Sequence, residues 1–134
     1  MDQKLPEVLG DFGKKPVLNW PETEAPSGLV VEVLHEGNGP VIQAGRQIQV
    51  DYHGEIWGGR KFDSSFDRGN PAVFGIGVGQ VIQGWDRSIP GKTVGSRLLI
   101  SIPPAMGYGK RGVPQAGIGG TDTLVFVVDI LKQF

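Results

Sequence analysis

Cysteine is absent from the sequence. That excludes a disulfide framework and a zinc–thiolate centre, and it fits a reducing compartment. A dominant charge is also missing. The 13 basic and 14 acidic residues are interspersed and leave a net charge of −1. No basic block is present, so binding driven by phosphate neutralisation, and with it a nucleic-acid partner, is not expected. No run reaches the roughly 20 apolar residues a membrane span needs. The first thirty residues lack the apolar stretch of a signal peptide. The default expectation is a cytoplasmic protein without membrane contact; a mature secreted domain given a new Met1 would read the same way.

What is plentiful is glycine, 22 residues, accompanied by ten prolines. They cluster between alternating apolar runs, where turns belong. At 134 residues the chain has room for one domain with a modest core. Residues 1–27 are proline-rich without a sustained period and read as an extended N-terminal arm. Val17, Leu18 and Trp20 are apolar enough to pack it back onto the remainder, residues 28–134.

From Gly28 the pattern becomes that of strands. Leu29, Val31 and Val33 alternate with Val30, Glu32 and Leu34. The clearest strand is Gln47 to Ile56. Ile48, Val50, Tyr52 and Ile56 share one face; Gln47, Gln49, Asp51, His53 and Glu55 share the other, which reads as a wet face. Gly58-Gly59 supplies a turn, and Lys61 to Ser65 begins another strand. The one expected helix runs from about Val81 to Ser88 and ends at Pro90-Gly91. Arg97 to Ile102 and Thr123 to Leu131 are further strands. Between them, Pro103 to Asp122 forms a long Gly/Pro-rich loop, a length that is uncommon unless functional. Strands with one helix indicate an α+β domain whose sheet packs on that helix.

Several motifs tempt and fail. Gly91-Lys92-Thr93 lacks the glycine five positions earlier that a phosphate loop needs, and Asp86 stands there instead. Gly75, Gly77 and Gly79 depart from dinucleotide spacing by one residue. His35 and His53 fall on polar positions and read as solvated. No metal-ligand pattern forms around them, and Ser64 and Ser65 lie in no nucleophile elbow. Neither a metal nor a cofactor is expected.

What remains is a set of aromatic rings spread over every segment: Tyr52, Phe62, Trp85, Tyr108 and Phe126. Taken singly, each reads as core. Taken with their neighbours they carry a resemblance. The runs Tyr52-His53-Gly54 and Gly59-Arg60-Lys61-Phe62-Asp63-Ser64-Ser65 closely resemble the FK506-binding (FKBP-type) peptidyl-prolyl cis/trans isomerases. So do Val81-Ile82-Gln83-Gly84-Trp85, Val94-Gly95, Ile102-Pro103, Tyr108-Gly109 and Thr123-Leu124-Val125-Phe126. The likeness covers about Gly28 to Phe134 in unbroken order and is nearest to bacterial single-domain members.

The resemblance implies a strongly twisted antiparallel sheet wrapped around one short helix, with a pocket between them. It implies Trp85 as floor and Tyr52, Phe62, Val81, Ile82 and Phe126 as walls, with Phe74 and Ile118 also contacting substrate. Tyr52, Asp63 and Tyr108 would be the catalytic polar groups, Tyr108 offering its hydroxyl to a substrate carbonyl. Arg68 would brace Asp63 or the loop and not touch substrate. The implied partners are proline-containing polypeptides and macrolide inhibitors. Ala72, Gln80 and Val113 depart from familiar members and bear on macrolide affinity, while Phe66 would cap the pocket mouth. A second reading is a non-catalytic module that merely holds proline segments, as a chaperone or adaptor. A third, an oligonucleotide-binding barrel, requires a basic stripe that the charge pattern lacks. The absence of heptads and of an apolar edge points to a monomer.

Overall fold

The computed structural model describes residues 4–134; Met1, Asp2 and Gln3 of the expected arm lie outside the described residues. Eight strands alternate with two short helices. They are β1 (Glu7–Leu9), β2 (Val17–Asn19), β3 (Val30–His35), β4 (Gln47–Ile56) and β5 (Arg60–Ser64), then α1 (Ser65–Arg68), β6 (Ala72–Gly75), α2 (Gln83–Ser88), β7 (Arg97–Ile102) and β8 (Leu124–Gln133). The main sheet is antiparallel, in the order β3-β7-β8-β4-β5, with β6 also pairing β4. Strand β4 is ten residues long and pairs β8 from Ile48 to Ile56. Its other edge is shared: residues 47–50 meet β6, and residues 53–56 meet β5.

Period-two alternation builds the core. Ile48, Val50, Tyr52, Leu98, Ile100, Ile102, Leu124, Phe126, Val128 and Ile130 all join one buried cluster with Trp85 and Ile89 of the α2 region. Burying a Leu, Ile or Val side chain stabilises by roughly 1.5–3 kcal/mol, so this face dominates the energetics. Helix α2 begins at Gln83, two residues later than the expected Val81. Ile82 sits in extended backbone (φ −59°, ψ 150°) as the residue before the helix. Val81 and Ile82 are thereby released from the helix to line a cleft.

The other sheet face is wet only toward the start of β4, where Gln47 is exposed and Gln49 and Asp51 are half-buried. His53 is 3% exposed and Glu55 9%, against the expectation of a solvated row. The cover is the N-terminal segment, which folds into the β1–β2 hairpin where an extended arm was expected. Leu18 packs with Leu99, Val125 and Val127, flanked by Leu5, Val8, Trp20 and Trp57. Trp20 Nε1 donates to Glu55 Oε1 at 2.8 Å, and Glu55 Oε2 meets His53 Nε2 at 2.7 Å. The histidine expected in solvent is thus a buried, hydrogen-bonded member of this second core. Beside it, Arg97 grips Asp129 with two bonds, Nε to Oδ1 at 2.7 Å and Nη2 to Oδ2 at 2.9 Å. The same guanidinium donates to the carbonyls of Gly10 and Lys14, and Gly13 N donates to Asp129 Oδ2. The hairpin tip therefore completes the hydrogen bonding of a buried ion pair.

Candidate active site

A cleft of about 250 Å³ opens between α2 and the concave sheet face. It is lined by Tyr52, Phe62, Asp63, Phe74, Gln80, Val81, Ile82, Trp85, Tyr108 and Phe126. Tyr52 comes from β4, Phe62 and Asp63 from β5, Phe74 from β6 and Phe126 from β8. Antiparallel registry places Gly54 opposite both Asp63 and Phe126, which sets the two phenylalanine walls side by side. Trp85 is 3% exposed and forms the base. Around it Tyr52, Phe74 and Phe126 stand edge-to-face at centroid distances of 5.4, 5.5 and 5.2 Å. Phe62 meets Phe126 at 5.4 Å and 90°. Edge-to-face contacts of this kind add about 0.5–1.5 kcal/mol each and fix the rings.

One wall is polar. Tyr52 OH donates to Asp63 Oδ2 at 2.5 Å, and Arg68 Nη2 donates to Tyr52 Oη at 2.7 Å. Arg68 also ion-pairs with Asp63 Oδ1. The three side chains close a ring of charge-assisted bonds, with the guanidinium 5.6 Å from the Tyr52 ring centre. Burial raises the Tyr52 phenol pKa, as does its bond to Asp63, while Arg68 opposes the rise. Burial, and then the charge of Asp63, raises Tyr108. Both phenols therefore keep their protons at neutral pH.

Tyr108 is held at the mouth by the long loop, which is ordered by local structure. Three 3-10 turns run through it, at Pro104–Met106, Gly109–Arg111 and Pro114–Ala116. Val113 and Ile118 exchange backbone bonds at 2.9 and 3.0 Å, and Asp122 Oδ2 accepts from Gly119 N at 2.7 Å. Gly112 makes the fold-back feasible. Its φ is 62°, and a Cβ there would lie 2.2 Å from the Ile118 carbonyl oxygen.

Nine of the ten expected site residues line this one cleft: Tyr52, Phe62, Asp63, Phe74, Val81, Ile82, Trp85, Tyr108 and Phe126. Ile118 does not. It is 4% exposed and packs into the core, because its bridge to Val113 turns the side chain inward. Phe66 is also absent from the lining, sitting instead in α1. Gln80 lines the cleft, and its side chain is pinned by Gly75 N donating to Oε1 at 2.9 Å. In the sequence it stood out only as a departure from familiar members.

The arrangement is that of an α+β protein whose ring-lined cleft, with one polar wall, lies between an antiparallel sheet and a short helix. Comparison with known proteins makes the assignment particular. Residues 39–131 match the family model described as FKBP-type peptidyl-prolyl cis-trans isomerase, and the chain belongs to that family. It is 41% identical over 119 residues to an FK506-binding protein of Streptomyces anulatus, covering 88% of this chain and 96% of that one. An FK506-binding protein of Neisseria meningitidis serogroup B is 43% identical over 107 residues, covering 80% and 97%. A peptidyl-prolyl cis-trans isomerase of Schizosaccharomyces pombe is 43% identical over 105 residues, covering 78% and 93%. The crystal structure of AtFKBP13 superposes with a TM-score of 0.74 at 36% identity, covering 82% of this chain and 96% of that chain. The protein is an isomerase of X-Pro peptide bonds. Among the described residues no helix is long and apolar enough to cross a membrane.

Proposed function

We propose that isomerisation takes place in the cleft over Trp85, with Tyr52, Asp63 and Tyr108 as its polar working groups and residues 28–134 as the isomerase domain. The ring-lined cleft at the junction of α2, β4, β5 and β8 carries this reading. An X-Pro bond turns slowly because resonance gives its C–N bond partial double-bond character, a barrier of roughly 18–20 kcal/mol. Twisting the bond removes that resonance and lessens the negative charge on the carbonyl oxygen. A water-poor pocket therefore favours the twisted amide over the planar one, relative to water. Phe62, Trp85 and Phe126 grip the proline ring, and the protonated Tyr108 hydroxyl donates to a neighbouring carbonyl and fixes the chain.

Asp63 acts on the wall and not on the substrate amide. Both its carboxylate oxygens are engaged, one by Tyr52 and one by Arg68. Lowering a step of about 100 s to about 10 ms needs roughly 5–6 kcal/mol. Shape, desolvation and one or two hydrogen bonds supply a sum of that order.

The same cleft is offered to FK506-type macrolides, as the relatives' names suggest, with Gln80 altering the rim. A monomer is the working unit in this reading, in keeping with the lack of heptads in the sequence. A cytoplasmic site of action completes the reading and is supported by the cysteine-free sequence. The test is a proline-peptide isomerisation assay with rising macrolide. The rate enhancement is expected to vanish at one macrolide per chain. Enhancement that persists after macrolide binding saturates would remove catalysis from this cleft.

A further inference from the structure

We infer that Lys15, in the N-terminal hairpin, is a positioning residue for the active site, acting through Asp67 and the α1 turn on Arg68. The inference rests on the cleft reading above and extends it to a segment outside the region matched by the family model, residues 39–131.

Helix α1 is four residues long, and one turn cannot hold itself in water, because nucleation fixes several dihedrals for a single bond. Its flanking residue Ser64 gives no side-chain cap. Its first residue is anchored: Ser65 Oγ accepts from Tyr52 N and donates to Asp51 Oδ1, each at 2.8 Å. Its far end carries Arg68, the residue that completes the Tyr52–Asp63 wall. What steadies that end is Asp67, whose two carboxylate oxygens are taken by Lys15, at 2.5 Å, and by Lys61. Those contacts hold the Asp67 carboxyl at about 2, below its ordinary value of 3.8, so the tether stays charged at any working pH.

Lys61 ties Asp67 to β5, the strand that leads directly into α1 and pairs with β4. Lys15 ties it to a separate segment, the hairpin tip, where the carbonyl of the neighbouring Lys14 accepts from Arg97 of the buried Arg97–Asp129 pair at 2.5 Å. A continuous set of contacts thus runs from the sheet's second core, through the hairpin tip, to the wall of the cleft. The Lys15–Asp67 contact is half exposed. Exposed pairs couple weakly, so the expected effect is a few-fold change and not a loss of activity.

The experiment compares wild type, Lys15→Ala, Lys15→Arg, Arg68→Ala and the Lys15→Ala/Arg68→Ala double variant in a proline-peptide assay, with thermal unfolding alongside. Lys15→Ala is expected to lower kcat/KM about two- to fivefold, Lys15→Arg to restore it, and Lys15→Ala to add nothing once Arg68 is gone. NMR of ¹³C-tyrosine provides a separate signature. Arg68 holds the Tyr52 phenol pKa down, so Lys15→Ala should move the Tyr52 titration upward. Unchanged kcat/KM and Tyr52 titration in Lys15→Ala, or equal losses with and without Arg68, would overturn the inference while leaving the cleft reading intact. Failure of the wild type to catalyse would instead reject the cleft reading itself.

Discussion

Gly54 shows how a residue with no side chain shapes the cleft. A Cβ there would lie 2.7 Å from Phe62 Cζ and 2.9 Å from Phe126 Cε1, well inside contact distance. The two walls close over it because nothing projects between them. Gly54→Ala should push one ring into the cleft. The expected result is a loss of roughly 1–3 kcal/mol in stability from overpacking, with a larger fall in kcat/KM than unfolding explains. A folded Gly54→Ala variant with wild-type kinetics would show that the rings have slack. At this scale most of the site was legible in the sequence. Taken singly, Tyr52, Phe62, Trp85, Tyr108 and Phe126 read as core; it is the resemblance carried by their spaced motifs that brings them, with Asp63, to one cleft. Ile118 was misplaced because its direction depends on the fold-back at Gly112, which neighbouring residue types do not reveal.

At the scale of elements, β3, β4, β5, β7 and β8 were read within a few residues because alternation records a buried face directly, whereas the four-residue β6 and α1 were too short to show a period. Strand β4 has the expected limits, Gln47 and Ile56, and so does β7, Arg97 to Ile102. The hairpin was not legible. Its strands are three residues each, too short to show a period, and they are held by partners more than eighty positions away. A signal did exist in Leu99, Val125 and Val127. These apolar residues lie on the face whose β4 row, His53 and Glu55, looked wet, and an apolar patch there requires a cover.

The cover is fastened by the Arg97–Asp129 pair. Removing one partner of a buried pair strands the other charge and costs about 3–5 kcal/mol. Asp129→Ala should therefore lower the unfolding free energy by that amount and expose the hairpin to proteolysis. An unfolding midpoint equal to wild type would mean that the hairpin docks without the pair.

For the whole molecule, the sheet has two buried faces: one supports the cleft and the other receives the hairpin. Acid and alkali both lower the stability of the fold, each through different groups. The Tyr52 and Tyr108 pKa values are raised in the folded state, so their stabilising contribution is complete below about pH 10. It is lost as pH climbs through the folded values, because the unfolded chain gives up those protons first. Asp67 is lowered from 3.8 to about 2. Its contribution is complete above 3.8 and is lost as pH falls toward 2. Thermal unfolding should thus show declines beyond both limits, the alkaline one reduced in Tyr108→Phe and the acid one reduced in Asp67→Asn. An alkaline limb of equal size in Tyr108→Phe would remove that phenol from the account.

Catalysis itself is tested most directly by the cis-to-trans rate of a short X-Pro peptide, measured with wild type and with a Tyr108→Phe/Trp85→Leu double variant shown to be folded. The wild-type chain should speed the step by a factor on the order of 10⁴, and the double variant should lose at least about tenfold of that, the rate equivalent of about 1.4 kcal/mol. A folded double variant as fast as wild type would mean that the bond turns somewhere other than over Trp85.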